Sequence, residues 1–185
     1  MIKLNDFTMN SLLITWTAIK IGFEGIDFFP SQIDANDVIE YAAHCVEIEF
    51  DNSNEVVLLA CTGKDDVEGI RRLLYQLSSC EQLDSCLEIR KWRVLALKKM
   101  MSKLSVNHID GLCDFTDFWA MFDYPSDSPH SVQGRGNSIS PQDYFTEENY
   151  QNIISNHFAW IEKEFRFLQM SPEGRNVLFS GNSET

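Results

Sequence analysis

Residues 84–104 read DSCLEIRKWRVLALKKMMSKL, a run with no Gly or Pro. Leu87, Val94 and Met101 fall in one row at helical spacing, while Ile89, Trp92 and Ala96 fall in another. A helix that is apolar on more than one side is one that neighbours surround, so the pattern predicts a long central helix. Its Lys and Arg residues gather toward the C-terminal half, where they complement the helix dipole and could meet acids from adjoining helices.

On the N-terminal side, Asp65 and Asp66 open a helix whose stripe is Val67, Ile70, Leu73, Leu74 and Leu77. Before it, Asn52, Ser53 and Asn54 make a turn and cap the short apolar helix EVVLLAC, which Thr62 and Gly63 end. Residues 37–50 carry Ile39, Ala43, Val46 and Phe50 as one expected buried face. Residues 11–21 mix β-branched side chains with the helical spacing of Leu12, Trp16 and Ile19; helix is favoured, with strand left open.

On the C-terminal side, Leu112, Phe115, Trp119 and Phe122 mark a helix from about residue 108 that stops near Asp123, because Pro125 and Pro129 forbid its continuation. Residues 123–141, DYPSDSPHSVQGRGNSISP, have the composition of a long, mobile surface loop. Thr146 caps a final helix to about Met170 with stripes Ile154, His157, Ile161, Phe165, Leu168 and Tyr150, Ile153, Trp160, Phe167. Residues 175–185 are expected to fray. The sum is an all-α fold: one domain over residues 1–185, with six or seven helices in consecutive antiparallel pairs, as a bundle or a short HEAT-like array.

The chain has 185 residues, a 44% apolar fraction and 22 aromatic residues, which is enough for a packed core without staples. Its formal net charge is −13. Residues 24–81 hold thirteen acids against Lys64, Arg71 and Arg72, a net of −10, and residues 107–150 hold eight against Arg135. Such a field repels nucleic acid and anionic membrane and attracts basic partners. The plainer reading, that acidic surface keeps the chain soluble, stays open at this point.

Five cysteines, an odd number with no CxxC pair, read as reduced, buried small hydrophobes of an intracellular protein, Cys45 and Cys61 among them. The spacing of Cys80, Cys86, His108 and Cys113 matches no zinc knuckle or ribbon. The apolar stretch near the N-terminus is interrupted by Asn5, Asp6 and Asn10 and lacks a cleavage site, and nothing reaches transmembrane length; a cytoplasmic protein is expected.

GxSxG, HExxH, GxxxxGK[ST] and the EF-hand loop are absent, and GRGN at 134–137 lies in a loop without the strand and helix of a phosphate site. No catalytic residue, metal or cofactor is therefore expected. The best small constellation is Asp123, Asp127 and His130, which could hold a divalent metal, although acids in a Pro-bounded turn are commonly turn chemistry.

IDANDVIEYA at 33–42, Lys91–Trp92, FTDFWAMFDYPSD at 115–127 and WIEKEF at 160–165 resemble a family of small bacterial proteins of unassigned function associated with polymorphic and contact-dependent toxin loci. The resemblance implies an immunity protein: no enzyme, but a binder that neutralises one cognate toxin domain. A basic toxin, such as one that cleaves nucleic acid, would suit the charge. Charge density places the contact surface on Asp34, Asp37, Glu40, Glu47, Asp51, Asp65, Asp66 and Glu68, with Asp127 of the long loop second. The competing readings are a helical scaffold or adaptor without a toxin, and a metal-dependent enzyme built on the 123–130 loop.

Overall fold

The computed structural model describes residues 2–81 and 83–170. The frayed tail expected over 175–185 lies outside them. Among the described residues the chain is all-α, with nine helices and no strand. The two helices beyond the expected number are short pieces, Leu4–Met9 and Pro141–Tyr144. No helix among the described residues is long and apolar enough to cross a membrane. The chain falls into two compact units, residues 1–95 and 96–185.

The first unit holds α1 (Leu4–Met9), α2 (Trp16–Glu24), α3 (Ala35–Glu47), α4 (Asn54–Ala60), α5 (Val67–Glu81) and α6 (Ser85–Met101) as far as Leu95. Helix α2 starts five residues later than its apolar pattern suggests. Residues 12–15 are not helical, and the Thr15 side chain accepts from the Ala18 N–H as N-cap. α2 packs mainly on α5, while α3 packs on α4. The α3–α4 pair is consecutive but the α2–α5 pair is not, so the expected series of consecutive pairs is matched only in part.

Trp92 of α6 sits at the centre, fully buried. Its indole Nε1 donates to the Ala18 carbonyl at 2.8 Å, and Phe7 meets the ring edge-on at 4.7 Å. Gly22 lies directly against that ring, where a Cβ would overlap it. Only a glycine lets α2 approach the tryptophan so closely.

α6 also buries charge, with Glu88 and Lys91 only 3% and 5% exposed. Lys91 Nζ donates to the Glu88 carboxylate at 2.8 Å and to the Leu13 carbonyl at 3.0 Å, and Thr15 Oγ1 donates to Glu88 at 2.7 Å. The pair thus fixes the non-helical segment before α2 from within the core. A buried pair of this kind is worth little net, but removing one partner strands the other charge.

The register of α3 is one residue off the expected stripe. Val38, Ala42 and Cys45 are buried, whereas Ala43 and Phe50 are exposed. Apolar side chains stand on adjacent rows of that helix, and periodicity alone could not choose between them. The α5 stripe holds at Ile70, Leu73, Leu74 and Leu77, with Val67 exposed. Of the cysteines, Cys45 is buried and the other four are exposed, correcting the expectation for Cys61, which lies at the C-cap of α4.

The second unit contains the last residues of α6, then α7 (His108–Ala120), α8 (Pro141–Tyr144) and α9 (Glu147–Gln169). α7 packs on α9. Asn107 and Thr146 cap these two helices with their side chains, as turn residues before an apolar run should. α7 ends a little before the prolines, and Asp123 and Tyr124 adopt left-handed backbone at φ 52° and 49°. Tyr124 N–H then bonds the Trp119 carbonyl at 3.0 Å.

The segment 123–141 is tied down rather than purely exposed. Trp160 Nε1 donates to the Asp127 carbonyl at 2.7 Å, the Arg135 guanidinium lies 4.1 Å from the Tyr124 ring centre, and His130 is buried. Apolar anchors were hard to see in a stretch so rich in Ser, Gly and Pro.

Candidate binding groove and the histidine core

A groove of about 840 Å³ opens in the first unit among α2, α5 and the segment after α3. Its position follows from how α2 begins. Glu81, at the end of α5, accepts from the Trp16 and Thr17 N–H groups and from Thr17 Oγ1, all at 2.7 Å. A carboxylate satisfies orphan donors and the positive pole of the helix together. This fixes Trp16 at the groove wall, where Tyr41 meets it edge-on at 5.5 Å.

Asp51 completes that wall. Its carboxylate accepts from the Trp16 indole at 3.2 Å and from Ser53 N–H at 3.0 Å. Burial works against the charge, but these donated bonds hold the Asp51 carboxyl below its usual range. Burial pushes the Tyr41 phenol well up, and Cys45, Glu81 and Asp51 push it the same way. The Cys45 thiol is raised too, chiefly by burial, so it is a poor nucleophile.

The groove thus carries three acids, Asp51, Glu55 and Glu81, and no Lys, Arg or His among its lining residues. Phe50, Tyr75 and Leu13 also line it and stand 66%, 63% and 67% exposed. Large apolar side chains left open beside carboxylates suit a ligand with both apolar and cationic parts.

Of the residues chosen by charge density, only Asp51 lines this groove. Asp34 and Asp37 are engaged in the capping box of α3, and Asp66 accepts from Gly69 N–H at 2.9 Å. Glu68 pairs with Arg71, and Glu47 lies 4.0 Å from His44. Glu40 and Asp65 are exposed, and Asp127 belongs to the second unit. Sequence reasoning did not single out Glu55, Glu81, Trp16, Tyr41 or Tyr75. No local signal marks them, since the groove joins residues from 13 to 83.

The second unit places its histidines in the core. His157 Nε2 accepts from the Trp119 indole at 2.8 Å, and its Nδ1 faces the Ile153 carbonyl at 2.7 Å, which sets the proton on Nδ1. His130 Nε2 is shared between Thr116 Oγ1 at 3.1 Å and Tyr144 OH at 3.2 Å. Burial lowers both imidazoles to about 4, and for His130 the neighbouring His157 adds to the effect. The Phe115 ring covers His157 at 4.1 Å.

Asp123 and Asp127 are exposed while His130 is buried, and among the described residues no group of three His, Cys, Asp or Glu side chains converges as a metal site. The constellation Asp123, Asp127 and His130 is therefore not assembled, because the imidazole turns into the core. Cys80, Cys86, His108 and Cys113 do not converge either.

A family model described as an uncharacterized protein conserved in bacteria (DUF2247) matches residues 4–165. The chain belongs to the DUF2247 family. No curated protein matches it, and no solved structure does. The DUF2247 match covers the groove and the histidine core alike.

Proposed function

We propose that this DUF2247 protein is an immunity-type binding protein that neutralises a cognate basic toxin domain by protein–protein contact, without catalysis. The observation that supports this most is the groove of the first unit, which offers aromatic surface and three carboxylates with no cation among its lining residues. Its three acids belong to the segment of the chain that nets −10 over residues 24–81. Acidic complementarity speeds encounter with a basic domain and selects against acidic ones.

The test is binding and rescue. The chain is titrated with the basic C-terminal domain of a toxin encoded next to it, and the two are co-expressed in cells sensitive to that toxin. A salt-sensitive complex and restored growth are expected. A complex that forms without restoring growth favours a scaffold or adaptor role, and absence of binding at low salt contradicts the proposal.

A further inference from the structure

Aromatic side chains and carboxylates line the same groove, and that combination selects among cations. Trp16 and Tyr41 form a fixed edge-on pair, with the Trp16 indole held by Asp51. Trp16 itself is buried, while Phe50, which lines the same opening, stands more than half exposed. Tyr75, on the same opening, has the chain's own Lys20 Nζ 5.1 Å from its ring centre, so that ring is already paired with a cation and the other aromatic side chains are the ones left for a ligand.

The acids are held ready. Glu81 receives one bond on Oε1 and two on Oε2, and Asp51 receives one on each oxygen. A carboxylate accepts about four bonds, so each retains capacity on its open side. Glu55, half-buried, adds a third charge. Because the donated bonds fix Asp51 and Glu81 in place, a ligand does not have to order them, which lowers the entropic cost of binding.

We infer that the groove is an arginine-anchor site, which takes a segment of the partner carrying an arginine flanked by apolar side chains. A guanidinium stacks flat on an aromatic face while its edge forks to a carboxylate; an ammonium sits over a ring or meets a carboxylate only as a point charge. The flanking apolar residues cover Leu13, Phe50 and the exposed part of Leu83, which line the same opening. This assignment rests on the immunity reading for the identity of the partner, but its chemistry can be tested without one.

The probe is a short acetylated, amidated peptide, Leu-Arg-Phe-Arg-Leu, with two controls in which both arginines become citrulline or lysine. The full chain, labelled with nitrogen-15, is titrated while the Trp16 indole N–H resonance is followed. The arginine peptide is expected to move that resonance with saturation, the lysine peptide to bind more weakly, and the uncharged citrulline peptide to leave it in place. Glu55→Gln and Asp51→Asn remove charge, and the amide introduced by the second keeps an acceptor oxygen for the indole. Each should weaken binding by about 5-fold, the scale of one partly exposed ion pair. Equal binding of the citrulline peptide, an unmoved Trp16 resonance, or unchanged affinity in both variants overturns the site. A toxin domain that binds wild type and both variants alike also overturns the groove while leaving the immunity reading standing. An arginine peptide that saturates Trp16, when no neighbouring toxin domain binds, supports the groove and removes that reading.

Discussion

In the first unit the buried polar side chains include an oppositely charged pair, Glu88 against Lys91, whereas in the second two histidines are buried with lowered pKa values, one of them bonded to an indole. The first unit also presents further carboxylates in an open groove, while the second turns its imidazoles inward. The difference separates polarity used for stability from polarity available to a partner. Lys91, His130 and His157 belong to the first kind, and Asp51 and Glu55 to the second.

The largest effect is expected where a charge would be stranded. Lys91→Met removes the cation but leaves Glu88 buried, and should cost about 3–5 kcal/mol in urea unfolding. The double variant Lys91→Met with Glu88→Gln should recover a good part of that loss. A single-variant cost below about 1 kcal/mol would mean that water reaches the pair and that the contrast between the units is wrong.

Acid should act on the second unit first. Each imidazole is lowered to about 4 in the folded chain against an ordinary value of 6.5. The unfolded chain therefore binds the protons first, so this stability is fully present above about pH 6.5 and declines as the pH falls toward 4. At pH 5 the loss is roughly 2 kcal/mol per histidine. Hydrogen exchange should show α7 and α9 losing protection before α3 and α5, and His157→Phe should flatten the pH dependence. Loss of protection in α3 first would break the comparison.

The smallest stability change is expected in the groove. Asp51→Asn keeps one acceptor oxygen to share between the Trp16 indole and Ser53 N–H, and should cost about 1 kcal/mol or less while weakening a cationic ligand. A severe loss of stability would move Asp51 into the structural class with Lys91.

These contrasts bear on how much the sequence could disclose. The all-α class, the α5 stripe and the Thr146 cap were legible because each is local, written in spacing or in a capping residue. The α3 face was misplaced by one residue because Val38 and Ile39, and Ala42 and Ala43, are equally apolar neighbours. Charge density could not tell acids engaged as caps, such as Asp34, Asp37 and Asp66, from Asp51 and Glu55. His130 looked exposed because its flanking residues are turn formers, although Phe115, Tyr144 and His157 close around its ring. The groove itself is a product of tertiary packing that brings residues 13 and 83 to one opening.

The most direct measurement is the affinity of the chain for the proposed partner, the basic C-terminal domain of a toxin sought beside it, at about 0.05 M and about 0.5 M salt, where the screening length falls several-fold. A tight complex that weakens at least tenfold at the higher salt, and further with Asp51→Asn and Glu55→Gln together, is expected. No complex at low salt, or one indifferent both to salt and to those two substitutions, would contradict recognition through an acidic groove.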